Sequence, residues 1–269
     1  MANMTIWELH QGDSPLVAAA IHNGHKVRPE VLQRMALSEA DRLREEDPFT
    51  GGWTAIAGTR IIGLTSRFEV DLNRPREKAI YLTPEDAWGL QVWKETPSTN
   101  IINRSLAQYD AFYAEANRLF TKLTHRFNRF VVFDLHTYNH RREGSAGPHA
   151  DPQQNPEVNL GTGTMDRERW TPLVERFIAD LRAFDFLGRH LDVRENIKFK
   201  GGHFARWTHQ TFPQSACVLA IEFKKFFMDE WTGKPEQPQL ETIPRALAST
   251  IPGVLEELEK LVTIQPCPE

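Results

Sequence analysis

The chain has 269 residues, with 32 Lys and Arg against 36 Asp and Glu, a formal net charge of −4 and 40% hydrophobic residues. That describes a globular protein long enough for one large core, and it argues against nucleic acid as a partner, which ordinarily leaves a basic patch or excess. Two cysteines, Cys217 inside an apolar run and Cys267 in a Pro-rich tail, give no disulfide framework and no thiolate metal site.

In chain order, the first element is an apolar run, Leu16 to Ile21, that ends in His22-Asn23-Gly24-His25. A helix that Ser38 is placed to cap follows; it ends in Glu45, Glu46 and Asp47, where Pro48 and the pair Gly51-Gly52 stop it. Thr54 to Ala57 followed by Arg60 to Leu72 reads as an antiparallel excursion with Ile61, Ile62 and Phe68 as its apolar contacts. Leu106, Tyr109, Tyr113, Ala116, Phe120, Leu123 and Phe127 recur at three- and four-residue spacing, the pattern of an amphipathic helix laid on a sheet. The run from Arg129 then ends in Asp134, His136, Asn139 and His140.

Beyond it, Glu143 to Gly163 is rich in Gly, Pro, Asn and Asp and reads as a long connection over a site. A helix from about Trp170 to Phe186, an apolar strand from Ala216 to Ile221 ending in Glu222, a connector from Lys234 to Gln239 and a last helix from about Pro244 to Val262 complete the order. In that last helix Leu255, Leu258 and Leu261 supply the buried side. The first eleven residues have no basic stretch followed by an apolar core, and no run reaches bilayer length, so the expected location is cytoplasmic, with no membrane association. No linker or repeat divides the chain. The expected architecture is α/β: one domain over 1–269, with a mixed β-sheet flanked by helices. The oligomeric state is not specified by the sequence.

Three apolar strands therefore terminate in functional groups. In open α/β sheets ligands bind beyond the carboxyl ends of strands, and a strand's period of two puts Asp134 and His136 on one side. A metal-ligating His held by a nearby carboxylate has this appearance. A carboxylate such as Glu222 at the end of a buried run is costly unless it is paired, metal-bound or catalytic. His, His and a carboxylate that is not a ligand are what metal-assisted hydrolysis requires, with one coordination position left for water. The acids at the helix C-terminus are candidates for a third ligand: their charge opposes the macrodipole unless a cation compensates, which either zinc or Arg42 and Arg44 would do.

His22-Asn23-Gly24, the Glu-Glu-Asp-Pro-Phe-Thr segment from Glu45, Val70-Asp71-Leu72-Asn73-Arg74, Phe133-Asp134-Leu135-His136-Thr137, and Ile221-Glu222 followed by Phe227-Met228-Asp229-Glu230 occur in one order. In this the chain resembles the N-formylglutamate amidohydrolases, within the wider zinc carboxypeptidase and aspartoacylase group, over roughly residues 15 to 232. The resemblance implies a zinc-carboxypeptidase-like (phosphorylase/hydrolase-like) fold. It makes His22 and His136 ligands of Zn2+, with an acid from Glu45, Glu46 or Asp47, of which Glu46 is favoured. Glu222 takes the place of the glutamate that activates water, and Asn73 and Arg74 look like the Asn-Arg pair that grips a substrate carboxylate. Arg suits that task because its planar fork donates two parallel charge-assisted hydrogen bonds.

Arg141 and Arg142 are further candidates to hold an anionic group or stabilise an oxyanion, and His140 and His149 to line the same mouth. Lys200-Gly201-Gly202-His203 resembles the family's paired-glycine loop, and Phe204 to Trp207 offers either an apolar pocket or ordinary core. The function that follows is zinc-dependent hydrolysis of an N-acyl, formyl-like, or peptide amide of a carboxylate-bearing amino acid. The alternatives are a carboxypeptidase-like or amino-acid-conjugate hydrolase, and a non-catalytic binding member of the fold.

Overall fold

The computed structural model describes residues 5–263, so Cys267 lies outside it. Its strands are β1 (Trp7–His10), β2 (Leu16–Ala20), β3 (Thr59–Gly63), β4 (Phe130–Tyr138), β5 (Val158–Gly161), β6 (Val193–Glu195) and β7 (Ala216–Lys224). The helices are α1 (Pro29–Leu32), α2 (Glu39–Glu45), α3 (Thr50–Trp53), α4 (Thr99–Phe127), α5 (Thr171–Ala183), α6 (His203–Thr211) and α7 (Gln237–Thr263). The strands form one sheet in the order β1-β3-β2-β4-β7-β5-β6. Within it β3, β2, β4 and β7 run parallel. β1 joins β3, and β5 joins β7, antiparallel. The sheet is therefore mixed, as expected.

Every residue of β2 and β4 is buried. Strands covered on both faces read as continuous apolar runs rather than alternating ones. Their side chains still divide by the period of two. Val17, Ala19, Val132 and Val218 meet Phe112 and Phe120 of α4 and Phe204 of α6 on one face. Leu16, Ala18, Val131, Phe133 and Leu219 meet Val174 and Phe177 of α5 and Ala246, Leu247 and Val254 of α7 on the other. Truncating one such fully buried ring, Phe120 or Phe177, to alanine costs about 3–5 kcal/mol. No helix among the described residues is long and apolar enough to cross a membrane.

Three local expectations are corrected. Thr54–Ile56 is a 3-10 turn, not a strand, and the following Thr59–Gly63 pairs antiparallel only with β1, lying parallel to β2 on its other side. The expected long loop contains β5, whose four buried residues are too few to show a period. The expected connector contains the start of α7 at Gln237. Pro238 fits there because the first N–H groups of a helix have no intrahelical acceptor. Farther along, Pro244 and Pro252 interrupt the bonding of α7, and its place is held by the apolar face packed on α5.

Where β2 runs on into His22, it passes very close to the end of β3. A Cβ at Gly63 would lie 2.2 Å from the Ile21 carbonyl oxygen, and one at Gly24 would lie 2.3 Å from the Leu64 carbonyl carbon. Only glycine fits such an approach.

Candidate active site and metal centre

The carboxyl ends of β2, β4 and β7 lie side by side, and they carry His22, His136 and Glu222. His136 and Glu222 are register partners. Asp134, one pleat below His136 on the same face of β4, places Oδ1 3.0 Å from His136 Nε2. The sequence expectation for this pair therefore holds.

The acid that joins the two histidines is Asp47 rather than the favoured Glu46. Ser38 caps α2 through the Asp41 N–H, as expected, and the helix ends at Glu46 in extended conformation. Successive side chains of extended backbone point to opposite sides. Glu46 turns away to accept from Ser66 and to meet His25. Asp47 turns inward, its own N–H donating to the His22 carbonyl at 3.0 Å. Its Oδ1 accepts from Thr137 Oγ1 at 2.9 Å. Its Oδ2 lies 3.0 Å from His136 Nδ1 and 3.5 Å from His22 Nδ1. Glu45 takes a third direction, accepting from Asn139 Nδ2 at 3.0 Å and standing 3.6 Å from Arg142 on the rim.

Both imidazoles thus present Nδ1 to one point and Nε2 to a private carboxylate. For His136 that carboxylate is Asp134. For His22 it is Asp71, whose Oδ1 is 2.7 Å from Nε2. Asp71 is in turn held by Tyr81, by Arg67 Nη2 at 2.8 Å and by the Asn73 N–H at 2.7 Å. A carboxylate behind each ring fixes its tautomer and orientation, the usual support of a metal-ligating histidine. Ligand atoms of His22, Asp47 and His136 all lie within 4.8 Å of one another, the one such group of three among the described residues. Two nitrogens and one oxygen so placed fit a divalent ion with a position left open.

Electrostatics agree with that fit. Burial by itself would raise the Asp47 carboxyl, yet hydrogen bonds from His136 and His22 hold it far below the usual carboxylate range. Burial disfavours the charged His136 ring, but the Asp134 charge and the bonds to Asp134 and Asp47 outweigh it and raise its pKa. For Asp71 the Arg67 and His22 charges overcome burial and lower it. Among the described residues Glu222 makes no such bond. Burial pushes it up to about 8, with His136 opposing and the Asp47 and Asp134 charges reinforcing. The result is a cluster rich in carboxylates, with a neutral-range acid beside it.

A cavity of about 240 Å³ opens above these groups, and Asn73, Arg74, Trp88, Arg142, Phe199 and Gly202 are among its lining residues. Asn73 is partly structural: its Oδ1 accepts from the Phe204 N–H at 2.9 Å at the start of α6. Gly202 is required there, since a Cβ would sit 2.3 Å from the Asn73 amide. Arg142 reaches the cavity, but Arg141 does not. Its side chain turns to Asp229 at 3.7 Å, and with His140 and His149 it lines a separate depression. Phe204 is fully buried core, and Trp207 packs against the same cluster. Sequence reasoning missed Arg67, Tyr81 and Trp88, and it gave Asp71 no role although the residue lies inside a recognised motif.

A family model described as N-formylglutamate amidohydrolase matches residues 14–228. Among solved structures, an N-formylglutamate amidohydrolase from Ralstonia eutropha JMP134 superposes with a TM-score of 0.71 at 16% identity, covering 97% of this chain and 99% of that one. A gene product of Agrobacterium tumefaciens superposes with a TM-score of 0.66 at 16% identity, covering 95% of this chain and 97% of its own. Both likenesses are of fold. No curated protein sequence matches the chain at a significant level.

Proposed function

This chain belongs to the N-formylglutamate amidohydrolase family, and on that premise we propose that it is a zinc-dependent hydrolase of an N-acyl amide borne by a carboxylate-containing amino acid. N-formylglutamate is the nearest substrate. The observation that carries the reading is the meeting of His22, Asp47 and His136 at one point, with Glu222 beside them in the lining of the same cavity. Zn2+ held by those three residues would supply a Lewis acid that lowers the pKa of water to about 7 and polarises the scissile carbonyl.

The chain's own groups do the rest. Glu222, whose carboxyl is pushed up to about 8, is suited to take a proton from water and deliver it to the leaving nitrogen near neutral pH, because proton transfer is best served by a pKa near the working pH. Arg74 and Asn73 line the cavity as donors for a carboxylate, and Arg142 adds positive charge at the rim. Thr137 fixes one oxygen of Asp47, so that a single oxygen remains to bind.

The test is metal content together with turnover. Protein purified without chelator should carry zinc in a one-to-one ratio and hydrolyse formyl amides of glutamate or aspartate in preference to acetyl and peptidyl ones. Chelation should abolish the activity and zinc should restore it. Protein that is metal-free and inactive on the whole panel would make this a binding member of the fold instead.

A further inference from the structure

We propose that Trp88 is a positioning residue that holds Arg74 ready for an anionic ligand, its ring face standing where a carboxylate partner would otherwise be. The inference rests on the reading above that the cavity takes a carboxylate-bearing molecule.

The two arginines of this wall are held differently. Arg67 donates from each of its three nitrogens: to Asp71 at 2.8 Å, to the Tyr81 hydroxyl at 3.1 Å and to the Glu45 carbonyl at 3.4 Å. Among the described residues Arg74 makes one side-chain hydrogen bond, from Nη2 to the Asp86 carbonyl at 3.1 Å, and forms no ion pair. Its guanidinium lies instead 5.3 Å from the Tyr81 ring centre and 5.9 Å from that of Trp88, whose ring also stands 4.9 Å from the Arg67 guanidinium. A ring face attracts a cation without neutralising it or occupying its in-plane donors. The fork of Arg74 therefore remains available to a planar anion.

Trp88 is itself held in an unusual way. It is 48% exposed, among the large apolar side chains left outside the core. Its backbone is left-handed at φ 55°, following the Pro84–Ala87 turn that a Thr83–Asp86 capping box closes. Bulky residues seldom adopt that region, and where they do the surroundings impose it, frequently at ligand sites. The Gly89 N–H, bonded back to the Pro84 carbonyl at 2.7 Å, locks the turn. That turn also supplies the Asp86 carbonyl, so a single small element holds Arg74 from two sides.

The experiment measures binding of L-glutamate and of its two monoamides to the zinc-loaded protein by calorimetry, in wild type, Trp88→Phe, Trp88→Leu and Trp88→Gly. Wild type should bind glutamate more tightly than the monoamide that lacks the carboxylate read by Arg74. Trp88→Phe should retain most of that difference. Trp88→Leu and Trp88→Gly should lose about 5–30-fold in glutamate affinity with little change for that monoamide, the range expected for cation–π contacts. Trp88→Gly should also melt within about 2 °C of wild type, since glycine relieves the left-handed backbone. Equal losses for acid and amide, no loss in either truncation, or a wild type that binds glutamate no better than both monoamides would each overturn the assignment. Binding does not require turnover. A wild type that selects glutamate but hydrolyses no N-acyl amide would defeat the proposed function and leave this inference standing.

Discussion

On the floor of the pocket His22 and Asp47 are 2% exposed and His136 3%, and each is tied to the others or to a buried carboxylate. On its wall Trp88 is 48% exposed and Arg74 is steadied mainly by ring faces and one carbonyl. The two histidines of the floor stand at the ends of central strands packed on both faces, whereas Arg74 and Trp88 of the wall belong to the irregular segment between β3 and α4. Buried side chains held at short distances by several neighbours keep a fixed geometry, which the chemistry of bond cleavage needs. A wall held by diffuse contacts can be exchanged without disturbing that geometry. On the reading proposed above, reaction and substrate choice are separable at Arg74 and Trp88, while Arg67 and the Asn73 N–H tie the wall to the floor through Asp71.

Four perturbations test that separation. The largest effect should come from the floor itself: His22→Ala, His136→Ala or Asp47→Ala should lose bound zinc and nearly all turnover, because an incomplete ligand set does not retain the ion. Glu46→Ala should keep both, and elemental analysis of the four proteins distinguishes the two acids. If Glu46→Ala loses the metal while Asp47→Ala retains it, Glu46 and not Asp47 is the acidic ligand. Next, Glu222→Gln should lower kcat by about 10²–10⁴-fold, the usual contribution of general acid–base catalysis, with zinc still stoichiometric. Zinc loss in that variant would instead make Glu222 a ligand.

A smaller change is expected one step behind the ligands. Asp134→Asn keeps the shape of the support for His136 but removes its charge, and should weaken zinc affinity by about 10–100-fold in competition with a chelator. Unchanged affinity would reduce Asp134 to filler. The smallest effect belongs to the wall. Arg74→Ala should raise KM about 10-fold with zinc content unaltered, the scale of one charged hydrogen bond at a half-buried site. Replacing the matching substrate carboxylate by an amide should cost about as much, and both together little more than either alone. Additive losses would place that carboxylate elsewhere.

How far the sequence revealed this pocket follows from how its parts are built. β2, β4 and β7 were plain because burial on both faces writes an unbroken apolar run, and their polar ends stood out against it. β5, buried but only four residues long, left no such trace. Neighbouring residues that diverge were also beyond reach. Glu46 and Asp47 share a motif, and so do Arg141 and Arg142, but which of each pair turns inward depends on backbone direction after α2 and after β4. Asp71 was legible in part, through the motif it shares with Asn73 and Arg74. Trp88 carried no signal, because nothing in its local sequence announces a left-handed backbone or the two guanidiniums beneath its ring.

Gly24 and Gly63 bear no functional group, yet the strand crossing they permit sets where His22 can stand. Zinc accepts a nitrogen only near 2.0–2.1 Å. A methyl group at either glycine would meet backbone atoms that have nowhere to retreat inside a filled sheet, and would lever the imidazole away from Asp47 and His136. The tolerance of the candidate metal site is therefore decided where two strand ends pass, at a place a bound ion would never touch, and it is maintained by the absence of atoms there.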